Sequence, residues 1–186
     1  AHRAIDAMLG LSELRSLRPD QIERIEASLS ELHATILINH LPDSGLAAKF
    51  SVEFTIASAL LAGDVGLRQV NDKFVRCGDV QDLMRRVTVV TNKNYDPDAP
   101  GFSLYDQVRV FLKSGGVLES EKVRYARGHA KRPLGPGDLK RKFMDCVVAG
   151  DPELDGEALF DMLQQLETLP SCRGLTQARC ATAATC

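Results

Sequence analysis

Tryptophan is absent from this 186-residue chain, and aromatic side chains make up only 5% of it. Stacking platforms for single-stranded nucleic acid need such rings, so that kind of binder is not expected. Long apolar runs are missing as well. A bilayer asks for about 18–20 consecutive apolar residues, and no stretch comes near that, so no membrane partner is expected. Charge of one sign is not in excess: 23 Lys+Arg stand against 25 Asp+Glu, a net −2. That balance gives no global attraction to nucleic acid or to an anionic surface. The five cysteines, Cys77, Cys146, Cys172, Cys180 and Cys186, form no CxxC pair, and no two of the four histidines stand at ligand spacing. No metal site is therefore expected. A Gly-rich phosphate loop is also lacking, so no cofactor is expected. The odd cysteine count reads as free thiols in a reducing, cytoplasmic setting.

What is present is ordinary globular material, with 44% apolar and 26% charged residues. The length fits one domain, or one domain with an appendage. The chain opens Ala1-His2-Arg3, without an initiator Met or a charged-then-apolar leader. It reads as unsecreted, and as a processed chain or a piece of something longer.

Ile5, Met8 and Leu9 recur at helical spacing and predict a helix over about residues 2–15. Arg18-Pro19-Asp20 breaks it, and a short turn through residues 21–24 follows. Residues 25–32 approach alternation and read as a strand; 39–45, with Pro42 and Gly45, reads as a loop. Leu46 to Leu61 is the strongest helix signal, with Leu46, Phe50, Phe54, Ala57 and Leu61 on one stripe and Gly63 as its stop. Asp79 is expected to cap a helix running to Arg86. Val87–Thr91 is a β-branched strand, 92–101 a loop, and 104–112 with 117–125 a hairpin around Gly115-Gly116. After a loop at 128–137, helices are expected over 138–148 and 154–169. The fold class is α+β: a small antiparallel sheet with helices packed on one side, plus a C-terminal helix. The expected organisation is a domain over 1–150, a helix over 151–171 and a disordered tail over 172–186.

Three segments resemble the small C-terminal domain of the MmgE/PrpD family. His2-Arg3-Ala4-Ile5-Asp6-Ala7 is similar to the family's H-x-A-I-D-A segment. Gly45-Leu46-Ala47-Ala48-Lys49-Phe50-Ser51, running on to Ala59–Gly63, is similar to its G-L-E-A-K-F-S helix and is the most specific match. Arg127-Gly128-His129, through Pro133-Leu134 to Lys142-Phe143, resembles a stretch near the domain's far end. The resemblance covers roughly residues 2–150. It implies a lid or substrate-binding domain of a lyase or isomerase, such as a 2-methylcitrate dehydratase-like enzyme, acting beside a carboxylate of a di- or tricarboxylate. It implies two partners, a small carboxylate substrate and a large helical domain that lies outside this sequence. An isolated chain of this kind is expected to be inactive and to self-associate as a homo-oligomer.

Such chemistry places negative charge on carbon next to a carboxylate, and so needs a proton carrier and cations. The resemblance makes His2 the catalytic candidate, because an imidazole can both give and take a proton. Lys49 and Ser51 are the substrate-binding candidates: a fixed ammonium near a helix amino end, and a hydroxyl donor beside it. A plainer reading makes Lys49 a solvated partner of Glu53 and Ser51 a surface serine. Phe54 departs from the family's decarboxylating members, which carry Tyr there, and packing accounts for it. The cations between Lys122 and Lys142 read as a solvated face, or as a contact with the family's large helical domain, rather than a nucleic-acid surface. The rival reading of the whole chain is a non-catalytic oligomerisation or interaction module.

Overall fold

The computed structural model describes residues 1–176 and groups them into two compact units, residues 1–133 and the chain from Leu134 onward. The first unit is a mixed sheet with a helical layer. Helix α1 (His2–Arg15) is followed by a 3₁₀ turn over Pro19–Gln21 and by strand β1 (Ile22–Ser30). The chain then runs through α2 (Glu31–Ile36), α3 (Gly45–Ala48), α4 (Val52–Ala62), α5 (Asp72–Val75) and α6 (Gly78–Met84). Strands β2 (Val87–Asn92), β3 (Tyr95–Asp96), β4 (Ala99–Ser103), β5 (Gln107–Leu112) and β6 (Val117–Glu119) complete it.

The main sheet has the order β2-β1-β5-β6, and β3–β4 form a separate antiparallel ribbon. The pairs β1–β5 and β5–β6 are antiparallel, as expected. The pair β1–β2 is parallel, in the register Ile25 to Val87 through Ser30 to Asn92. A parallel neighbour cannot be reached by a tight turn, so everything from α2 to α6 serves as the crossover. The sheet is one-sided. Ile25, Ala27, Leu29, Val108 and Val110 are buried with Phe54, Ile56, Met8 and Leu83 in one core. The opposite face carries Glu26, Arg109 and Glu119 as a cross-strand ion ladder. This alternation puts the helices on one side.

Local differences from the sequence reading have identifiable causes. The strand read at 25–32 stops at Ser30, whose hydroxyl accepts from the His33 N–H at 3.2 Å and starts α2. The single helix read from Leu46 to Leu61 is two helices broken at Lys49–Ser51, and Leu46 and Phe50 are 73% and 46% exposed rather than on the buried stripe. Helix α4 is instead buried all round from Val52 to Leu60, so no polar face was there to be read. Gly63 does end it, in the left-handed region at φ 63°. Cys77, not Asp79, occupies the N-cap of α6, with Asp79 in its first turn. Part of the loop read at 92–101 is the β3–β4 ribbon.

The second unit holds α7 (Pro136–Gly150) and α8 (Gly156–Gln164), joined through the rings of Phe143 and Phe160, 5.3 Å apart. Pro136 sits in the first turn of α7, where its missing N–H costs nothing. The helix read over 154–169 ends at Gln164 and continues only as a 3₁₀ turn over Leu166–Thr168. Of the expected tail, Cys172–Thr176 form another such turn, and residues 177–186 lie outside the described residues.

Candidate functional site

Lys49 and Ser51 meet at the corner where α3 turns into α4. Ser44 caps α3 by accepting from the Ala47 N–H, and the Gly45 N–H donates to Asp72 Oδ1 at 2.8 Å. A Cβ on Gly45 would stand 2.8 Å from the Asn71 Cα, so this close approach of two backbones admits only glycine. Lys49 closes α3, and two residues later Ser51 begins α4 as its N-cap in extended conformation. A residue whose hydroxyl binds the N–H three positions on favours a new helix start over continuing the old one.

Ser51 is fully buried, and both functions of its hydroxyl are engaged. It accepts from the Phe54 N–H at 3.1 Å and donates to Glu53 Oε2 at 3.1 Å. Glu53 in turn faces His40, whose Nδ1 lies 2.6 Å from Glu53 Oε1. The break between the helices removes the i,i+4 geometry that would pair Lys49 with Glu53. Lys49 is exposed and has no carboxylate partner among the described residues.

His40 comes from the segment between α2 and α3, which is pinned to the corner. The Asn39 N–H donates to the Phe50 carbonyl at 3.1 Å, and the Asn39 side-chain amide donates to the Ala47 carbonyl at 2.9 Å. Gln81 and Arg76 donate to the carbonyls of Pro42 and Asp43. The sequence reading pairs Glu53 with Lys49 and misses its pairing with His40. Thirteen positions separate them, and no periodicity links a loop residue to a helix so far along the chain.

His2 is the first residue of α1 and is exposed. Helix α1 packs against α4, so the imidazole and the Lys49–Ser51 corner belong to two helices of one layer. Beside His2, Arg3 donates to the Ser103 carbonyl at 2.8 Å and to its hydroxyl at 2.9 Å, and pairs with Asp106 at 2.7 Å. Burial pushes the Asp106 carboxyl above the ordinary carboxylate range, opposed by the Arg3 charge and the Ser103 hydroxyl. His33, on α2, is held below the usual imidazole value by burial; Asp106 pulls the other way, while Arg3 and His2 add to the lowering. Its Nδ1 is buried without a hydrogen-bond partner among the described residues, and its ring meets Phe102 edge-on at 5.0 Å.

Phe54 is completely buried and meets Phe74 edge-on, with ring centroids 6.2 Å apart, which is packing. The basic stretch is largely matched by acids. Arg124 holds Asp96 and Asp98, Arg127 and Arg132 share Asp6, and in the second unit Lys140 pairs with Glu157 and Arg141 with Asp138. Among the described residues no three His, Cys, Asp or Glu side chains gather as a metal centre, and no helix is long and apolar enough to cross a membrane. Cys77, Cys146 and Cys172 are free and exposed.

These features define an α+β domain with a polar corner set into the crossover of a mixed sheet. The chain belongs to the MmgE/PrpD family: the family's C-terminal domain matches residues 1–167. It is 28% identical over 167 residues to cis-aconitate decarboxylase of Mus musculus, covering 88% of this chain and 33% of that protein. It is 27% identical over 169 residues to cis-aconitate decarboxylase of Homo sapiens, covering 87% and 33%. The chain thus spans about a third of the length of these relatives.

Proposed function

We propose that this domain helps to bind and enclose a di- or tricarboxylate in a MmgE/PrpD-type enzyme that dehydrates, decarboxylates or epimerises beside a carboxylate. The observation that carries this reading is the exposed Lys49 ammonium, left without a carboxylate partner by the break between α3 and α4. An ammonium so placed gains a substrate carboxylate without giving up an internal ion pair. His2 is the proton carrier in this reading. Ser51 acts less directly than a free hydroxyl would, because reaching a ligand means releasing Glu53; its first role is to set the α4 start behind Lys49. The family's large helical domain is the partner that completes the cleft, so the chain by itself binds but does not turn over substrate. A cytoplasmic setting belongs to the same reading and is supported by the free thiols of Cys77, Cys146 and Cys172.

Calorimetric titration of the 186-residue chain with cis-aconitate and citrate tests this. Saturable binding is expected, weakened about tenfold by Lys49→Met, the size of one hydrogen bond to a charged group. No product is expected on prolonged incubation. Robust turnover by the isolated chain refutes the lid reading, and equal affinity of the variant removes Lys49 from the site.

A second reading, an association module that forms homo-oligomers, draws on another observation. Leu32, Ile36, Ile38, Leu41, Leu46 and Phe50 are large exposed apolar side chains drawn from one short stretch of chain. Apolar surface of this kind favours contact with another protein surface. Concentration-dependent association without any tricarboxylate binding would favour it.

A further inference from the structure

An imidazole on a loop ordinarily samples several rotamers in solvent, yet His40 is held on two sides. On one side is Glu53, whose side chain is 8% exposed and whose second oxygen already accepts the Ser51 hydroxyl. That carboxylate cannot follow a wandering ring. On the other side is the backbone: Leu41, directly before Pro42, sits in the left-handed region at φ 48°. A leucine adopts this conformation only where its surroundings impose it, and such strain gathers at binding and catalytic positions. Two positions before it, Asn39 is tied to the corner by its two hydrogen bonds, and the strained residue adjoins the imidazole that meets Glu53.

The pairing leaves a defined chemical surface. Nδ1–H donates to Glu53, so Nε2 is the nitrogen that remains, on a side chain 66% exposed. Glu53 is the one partner of His40 among the described residues. A carboxylate on one ring nitrogen fixes the ring's orientation and leaves Nε2 for a ligand, and a ring carrying a proton on both nitrogens offers an anion a charge-assisted Nε2–H. The same corner presents Lys49, tied to the His40 segment through the Asn39 bonds to Ala47 and Phe50. Glu53 is engaged by His40 and Ser51, which leaves the Lys49 ammonium to meet a ligand's charge.

We propose that His40, oriented by Glu53, is a carboxylate-binding residue of this domain. Lys49 takes one carboxylate of a di- or tricarboxylate, and the Nε2–H of His40 takes another. The inference rests on the carboxylate-binding reading above and adds the second anchor. It makes two carboxylates, not one, the feature that the corner recognises.

The test is an NMR-observed titration of the 186-residue chain with citrate, and with acetate and inorganic phosphate at matched ionic strength. Wild type is compared with His40→Gln and Lys49→Met. The His40 ring resonances should move on the same saturation curve as the Lys49 side chain. His40→Gln should weaken citrate binding about tenfold, as expected for one charge-assisted hydrogen bond. Acetate and phosphate should saturate neither group at the concentrations where citrate does. The ring shift is read on the wild-type chain and does not depend on a variant folding. Citrate binding that moves Lys49 but leaves the His40 ring and the His40→Gln affinity unchanged overturns this inference alone. Acetate or phosphate binding as tightly as citrate overturns the two-carboxylate specificity. Absence of any saturable citrate binding removes the underlying reading as well.

Discussion

Replacing Ser51 separates two jobs that one hydroxyl performs. As an N-cap it satisfies the Phe54 N–H, and as a donor it satisfies a buried glutamate oxygen. Losing an N-cap to alanine costs about 1 kcal/mol, whereas a glycine cap costs only a few tenths. Losing a hydrogen bond to a charged group that stays buried costs about 1.5–3 kcal/mol. Ser51→Ala should therefore destabilise the fold by about 2.5–4 kcal/mol, the sum of these two terms. Ser51→Gly should fall short of that by roughly the cap term, about 0.5–1 kcal/mol. The assay is urea unfolding followed by far-UV circular dichroism, comparing midpoints at unchanged slope. A double-mutant cycle with Glu53→Gln isolates the carboxylate share, since two groups in contact couple by about 0.5–3 kcal/mol. A Ser51→Ala loss below about 0.5 kcal/mol, within the ordinary scatter of surface substitutions, refutes the reasoning. So does a cycle without coupling.

Two further outcomes follow from the same geometry. Gly45→Ala should destabilise the first unit by about 1–3 kcal/mol, because the added methyl meets the Asn71 backbone rather than a movable side chain; wild-type urea stability would show that the corner yields easily. His33 has its folded pKa lowered, mainly by burial, so the folded state resists taking up that proton. Its contribution is whole above the ordinary value of 6.5 and is lost as pH falls below it toward the folded value. Unfolding midpoints measured across that window should fall with acid and flatten in His33→Gln. An unchanged slope in the variant would assign the acid sensitivity to other groups.

The elements that could be read from sequence are those whose residues declare a period or a turn. Helix α1 shows an apolar stripe, β2 is β-branched from Val87 to Thr91, and Gly115-Gly116 marks the β5–β6 hairpin. The α3–α4 break was hidden because Ala47-Ala48 and the run from Val52 onward are equally good helix material. What decides it is the competition of one serine hydroxyl for an N–H, which apolar patterning does not register. Helix α2 was hidden the same way behind Ser30. Of the proposed site, the motifs pointed to His2, Lys49 and Ser51. The pairing of His40 with Glu53 escaped because their meeting depends on a loop folded back by Asn39 and on one residue at positive φ. Tertiary closure of that kind leaves no pattern along the chain.

The parallel join of β1 to β2 closes a long stretch of chain, the whole α2–α6 segment, and the polar corner lies inside that segment. Pairing across so long a separation is entropically slow. During refolding, the His40–Glu53 contact should lag behind helix formation and arrive together with protection of the β1 amides from solvent exchange.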